Sequence, residues 1–178
     1  RKFVFYFVLL LITVIPLFSF GLANHGLWTA DEPRVAEIGR EMALSGNWAV
    51  PTLNQKPFLE EPPLYYASLA AAFRAFGPSD AVARIPSEMF SFVGVIALYF
   101  LGSLLFGPRT GFIASVVMAT CGEYFRVAHW VIVDSALTSF VILALAFFIA
   151  GYISDGQPRR FILYGLCYVS CTLAFYVK

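Results

Sequence analysis

The sequence predicts an all-α, polytopic membrane protein: about five transmembrane helices, with two interfacial helices in the first outward loop. Three observations carry that expectation. Of 178 residues, 60% are hydrophobic and only 13% are charged, against about 25% charged in ordinary soluble domains, and mean hydropathy is +0.76. The apolar residues fall in runs long enough to cross about 30 Å of hydrocarbon. The aromatic residues, 19 Phe, 9 Tyr and 3 Trp, suit lipid contact and interfacial anchoring better than a water-soluble core.

The first run, 3–23, has no charge and follows Arg1 and Lys2, which puts the N-terminus on the cytoplasmic side by the positive-inside rule. It is too long for a signal-peptide h-region, and no small-residue cleavage pattern follows it. Further spans are expected at 85–106, 110–127, 135–153 and 161–177. Gly107-Pro108-Arg109-Thr110 reads as a tight turn, and 154–160 as a polar loop closing on Arg159-Arg160. The chain starts at Arg1 without a Met and stops at Lys178 as a helix ends; the expectation is a fragment of a longer protein.

The long polar interruption, 24–80, forms the outward loop. Asp31-Glu32-Pro33-Arg34 opens its first helix, with Asp31 suited to the N-cap and Pro33 harmless in the first turn. Val35, Ile38 and Met42 make a narrow apolar stripe, and Ser45-Gly46-Asn47 ends the helix. The second helix, 64–76, starts after Pro62-Pro63, carries Glu60 and Glu61 at its positive end, and stops at Gly77-Pro78. Tyr65, Leu69, Ala72, Phe73 and Phe76 are expected on its apolar face. It reaches only ~20 Å, too short for a bilayer, and is expected to lie along the surface. Arg109 and Arg159-Arg160 then fall on the same side as Arg1 and Lys2, as the positive-inside rule requires.

The net charge of +1, without a basic run, gives no basis for nucleic-acid binding. Cys121, Cys167 and Cys171 lie in apolar segments without metal-ligand spacing and read as small hydrophobes. Each polar candidate has a structural role beside a chemical one. Asp31 is a helix cap and also a carboxylate at the membrane surface that accepts a proton; Glu32 answers a helix dipole. Lys56 is a headgroup-facing amine or a cation for a phosphate. Arg126 is three residues from Glu123, the spacing of a local ion pair. His129 and Trp130 are interfacial anchors, and Asp134 precedes the fourth span as a cap. Ionisable residues at the ends of charge-free spans tend to mark function, and two acids, Asp31 and Asp134, are delivered to one face.

With these residues in view, the chain resembles polyprenyl-phosphate-dependent membrane glycosyltransferases of the GT-C architecture, such as protein O-mannosyltransferases and aminoarabinose transferases. The matching stretches are Asp31-Glu32-Pro33-Arg34, Ala36-Glu37-Ile38, Arg40-Glu41-Met42 and Ser45-Gly46-Asn47-Trp48 with Val50-Pro51. They continue through Lys56-Pro57-Phe58-Leu59-Glu60, Pro62-Pro63-Leu64-Tyr65-Tyr66 and Ala83-Arg84, then Arg126 and Asp134 with Leu137-Thr138. The resemblance implies a multi-pass enzyme of the plasma (inner) membrane whose first loop is periplasmic or extracellular. It would move a sugar from a polyprenyl-phosphate donor to an acceptor hydroxyl on a glycolipid, glycan or protein, with inversion. Asp31 would be the catalytic carboxylate, and Asp134 would belong to the same site. Glu32, Arg34, Lys56, Arg84 and Arg126 are the further substrate-binding candidates. Two departures stand out: Glu61 occupies a place where the family usually has a lysine expected at the lipid phosphate, and Val35 stands where an aromatic is common. Lys56, Arg34, Arg84 and Arg126 are the cations available in its stead. No metal is demanded; if a divalent ion takes part, Asp31 and Asp134 are its ligands. The alternatives are a transporter or flippase of a lipid-linked substrate, or an inactive scaffold relative; the apolar midspans argue against transport.

Overall fold

The computed structural model describes residues 1–21, 26–28 and 31–178. The expected end of the first span at Ala23 and the start of the outward loop at Asn24 lie outside the described residues. Among the described residues, eight helices and one short hairpin follow in order: α1 Lys2–Ser19, α2 Asp31–Ser45, β1 Thr52–Leu53, β2 Lys56–Pro57, α3 Leu64–Phe76 and α4 Asp80–Phe106. Then come α5 Pro108–Thr120, α6 Gly122–His129, α7 Asp134–Tyr152 and α8 Gln157–Phe175. The all-α, polytopic class stands. Three helices, α1, α4 and α7, are by length and composition able to cross a membrane.

The segment expected as a single span at 110–127 is two helices. α5 stops after 13 residues, and Cys121 leaves helical geometry at φ −61°, ψ 125° before Gly122 starts α6. α4 begins at Asp80, earlier than expected, because Ser79 caps it by accepting a hydrogen bond from the Val82 N–H. α4 is the central rod: α5 packs on one side of it, α7 on another, and α8 folds back along α7. At Gly102 a Cβ would sit 2.8 Å from the Gly111 Cα, so glycine lets α4 and α5 touch backbone to backbone.

α2 and α3 form a layer over one end of this bundle. Val35, Ile38 and Met42 are buried as the periodicity predicts, together with Glu32, Ala36 and Gly39. A Cβ on Gly39 would come within 2.6 Å of the Leu69 Cβ. α3 buries Tyr65, Tyr66, Leu69, Ala70, Ala72 and Phe73. Phe76, expected on that face, is 71% exposed, because the helix is ending there and its last turn projects past α2. The link between α2 and α3 carries an antiparallel hairpin pairing Leu53 with Lys56. Asn54 and Gln55 make its turn with φ of 53° and 64°, the left-handed pair that a two-residue hairpin loop requires. Glu41 clamps this hairpin to α2, accepting from the Thr52 hydroxyl at 2.5 Å and the Gln55 N–H at 3.2 Å.

Two apolar clusters result. One joins α2 and α3 to the start of α4, to Val131–Ala136 and to Val177; the other joins α1, α4, α5 and α6 through Leu10, Val14, Phe18, Val95 and Tyr99. Val177, just past α8, therefore lies at the α2–α3 end of the molecule.

Candidate functional site

The site begins with a buried lock. Glu32, in the first turn of α2, is 1% exposed. Its carboxylate accepts from the Trp28 N–H at 2.9 Å and from the Val131 N–H at 3.0 Å, and lies 3.6 Å from the Arg84 Nε. Arg84, on α4 and also buried, donates to the Gly26 carbonyl at 2.9 Å. A buried carboxylate needs such partners, since its desolvation is otherwise prohibitive. Ser87 reinforces the same junction, meeting the Tyr65 hydroxyl at 2.5 Å and the Ile132 backbone at 3.3 Å and 3.4 Å. His129, also buried, bridges the carbonyls of Phe125 and Phe20 at 2.8 Å and 3.2 Å, joining α6 to the end of α1. The starts of α2 and α7 are thereby fixed relative to each other. Glu32 and Arg84 face one another inside the fold.

On this lock sits a row of exposed charges, joined through the buried Tyr66. Asp31, at the first position of α2, accepts from Arg34 at 3.2 Å, and Arg34 also lies 3.7 Å from the Glu60 carboxylate. The Tyr66 hydroxyl donates to Glu61 at 2.7 Å. Burial pushes the Tyr66 phenol far up, the hydrogen bond to Glu61 and its charge push the same way, and the nearby Arg34 charge opposes them. Tyr66 is a neutral donor throughout the physiological range. At the start of α7, Asp134 accepts from the Lys178 ammonium at 2.7 Å. The hydrogen bond to Asp134 raises the Lys178 pKa, partial burial opposes it, and the charges of Asp134 and Glu61 add to the rise. The row thus runs Asp31, Arg34, Glu60, Tyr66, Glu61, Lys178, Asp134.

Asp31 and Asp134 do not touch; Arg34, the Tyr66–Glu61 pair and Lys178 stand between them. Asp134 also lines a groove of about 670 Å³ with Glu123, Tyr124, Val127, Met118 and Val117, and Asp31 is not part of its wall. Arg126 pairs with Glu123 and stacks 4.5 Å from the Trp130 ring centroid, beside this groove. Lys56 is exposed on the α2–α3 hairpin and, among the described residues, has no ion-pair partner. No grouping of three or more His, Cys, Asp or Glu able to hold a metal occurs among the described residues. Asp31 and Asp134 each face a cation instead.

Lys178 lies outside the quoted motifs, and Tyr66 stands inside one of them without a role assigned to it. The signal for Lys178 was present: two apolar runs of similar length joined by a short loop form a hairpin, which returns the end of the second run to the level of Asp134. The 19 residues of α7 and the 19 of α8 do this.

Comparison with known proteins gives the family and the likeness of fold. The family described as dolichyl-phosphate-mannose-protein mannosyltransferase matches residues 60–178. An undecaprenyl phosphate-alpha-4-amino-4-deoxy-L-arabinose arabinosyl transferase from Pseudomonas savastanoi pv. phaseolicola is 30% identical over 172 residues, 96% of this chain and 32% of the relative. A second such transferase, from Proteus mirabilis, is 29% identical over 99% of this chain and 32% of its own length. This chain therefore spans about a third of the length of the curated relatives it matches. Crystal structures of ArnT from Cupriavidus metallidurans superpose with TM-scores of 0.88 in the apo state and 0.90 bound to undecaprenyl phosphate. Both are 24% identical and cover 97% of this chain and 32% of ArnT, a likeness of fold. Since the family match takes in well over half of the residues, the chain belongs to the dolichyl-phosphate-mannose-protein mannosyltransferase family.

Proposed function

We propose that this chain supplies the carboxylate-bearing part of a membrane glycosyltransferase, which moves a sugar from a polyprenyl-phosphate donor to an acceptor hydroxyl with inversion. The observation that carries the reading is the charged row from Asp31 to Asp134, laid at one end of apolar helices. A polyprenyl-phosphate donor keeps its tail in hydrocarbon and its phosphate at the interface. Its reacting carbon then sits at the level of that row.

A single displacement needs a base on the attacking hydroxyl and compensation of charge on the departing phosphate. Asp31 is exposed, on a helix rather than a loop, and is the base in this reading. Arg34 and Lys178 stand on either side of the Tyr66–Glu61 pair and are the cations for the phosphate. Lys178 answers the departure at Glu61: the positive charge comes from the end of α8. Glu32 and Arg84 act through position, holding Asp31 in register with the α6–α7 junction. Lys56, on the hairpin, and Arg126, on α6, are further candidate phosphate or acceptor contacts in this reading. Asp134 orients Lys178 or a substrate hydroxyl. No step is assigned to a metal.

The donor class is supported by the names of the relatives and by the undecaprenyl phosphate bound to ArnT; the acceptor is a glycolipid, glycan or protein hydroxyl. In this reading the protein lies in the inner membrane with the α2–α3 layer facing outward. The test is Asp31→Asn in the full-length protein. Sugar transfer is expected to vanish while membrane insertion and thermal unfolding stay as in the wild type; retained turnover rejects Asp31 as the base.

A further inference from the structure

The opposite end of the bundle carries a second feature, one that sugar transfer does not use. The start of α1 and the α4–α5 turn enclose a cavity of about 490 Å³ lined by Arg1, Lys2 and Arg109, with Phe5, Tyr6 and Phe106 as its apolar walls. We propose that this cavity binds the headgroup of an anionic phospholipid.

Three properties point to that ligand. First, the three cations converge from two separate elements, and among the described residues none has a carboxylate within ion-pair distance. Every ion pair recorded lies at the other end of the molecule. Positive-inside placement explains the sign of the charge here, but not why three cations share one hollow. Second, the walls are held before any ligand arrives. The Tyr99 hydroxyl donates to the Phe3 carbonyl at 2.6 Å, and the Tyr6 ring packs 5.7 Å from that of Phe112, so α1 is tied to both α4 and α5. Third, the cavity lies at the foot of an exposed apolar stripe. Phe5, in the cavity wall, is 63% exposed, and Val8 and Ile12, further along α1, are 46% and 65% exposed. A phosphodiester in the hollow places its acyl chains on that stripe, which free phosphate would leave empty. Basic pockets between helices are a recurrent way of holding anionic headgroups.

The test uses the full-length protein in neutral detergent, titrated with phosphatidylglycerol and with phosphatidylcholine, with bound lipid counted by native mass spectrometry. Phosphatidylglycerol is expected to be retained and phosphatidylcholine not. The double variant Lys2→Gln/Arg109→Gln is expected to bind phosphatidylglycerol roughly thirtyfold more weakly, about fivefold per cation. Arg159→Gln/Arg160→Gln, in the first turn of α8, is expected to bind it as the wild type does. Equal retention of the two lipids by the wild type overturns the proposal. Equal loss from both double variants also overturns it, as does displacement of the lipid by millimolar inorganic phosphate. Photoactivatable phosphatidylglycerol, applied to the wild type, is expected to label peptides containing residues 1–6 or 106–109. Label confined to the α2–α3 end overturns the proposal even where a variant fails to insert.

Discussion

Asp31 and Glu32 are neighbours in the chain with opposite roles. Asp31 is exposed beside Arg34, while Glu32 is buried against Arg84 and two backbone N–H groups. Asp31→Asn therefore spares the fold. Glu32→Gln leaves the Arg84 charge buried without its carboxylate and is expected to cost about 3 kcal/mol, read as a lowered unfolding temperature in detergent. Removing the Tyr66 hydroxyl with Tyr66→Phe costs about 1 kcal/mol and frees Glu61 toward Lys178. Lys178→Gln is expected to raise KM for the lipid donor more than it lowers kcat, with insertion unchanged; an unaltered KM removes Lys178 from the phosphate role. Its pH dependence has a definite sign. The folded-state pKa of Lys178 is raised above the ordinary value of about 10.5. Its contribution to stability is therefore fully present below the unfolded value and lost as pH rises through the folded one. Wild type and Lys178→Gln should differ in stability by the same amount between about pH 6 and pH 9 and converge only in stronger alkali.

At the scale of elements, α2 and α3 were readable because their signals are local. An Asp-Glu-Pro start, a stripe at helical spacing and a Gly-Pro stop each act within a few residues. The face of α3 is less legible. Periodicity predicts Phe76 on the buried side and omits Tyr66, because it gives a stripe but not where the partner helix ends. Gly39 shows the same gap. In the sequence it is a weak helix former; in the fold it is where α2 meets Leu69. Gly39→Val is expected to push the two helices apart, destabilising the layer and raising amide exchange across residues 64–73. Unchanged exchange removes close packing as the reason for this glycine. The break at Cys121 has a local signal that run length overrides: Gly122, Glu123 and Arg126 follow it inside the expected span 110–127. Only the packing of Tyr124 against α4, with its hydroxyl donating to the Ser91 carbonyl at 2.8 Å, shows what α6 gains by turning.

For the whole molecule, the question is which charges share an end. Five basic residues, Arg1, Lys2, Arg109, Arg159 and Arg160, lie at the start of α1 and in the first turns of α5 and α8, while the row from Asp31 to Asp134 lies at the other end. Cysteine labelling at Leu59→Cys and Gly156→Cys, in a background with the native cysteines replaced, is expected to report opposite sides of the membrane. Labelling from one side overturns the orientation and, with it, the outward site.

Composition and the apolar run lengths determined by themselves that this is a helical membrane protein, since a charge-free run in hydrocarbon must satisfy its backbone within the helix. The motif around Asp31 also marked the end of the molecule that carries the charged row. Tertiary structure decided which acid works inside the fold and which outside it. It also decided that Lys178, 44 residues from Asp134, is the cation beside it. The reason is that burial and long-range charge pairing depend on where whole helices end in space, and no short stretch of sequence encodes that.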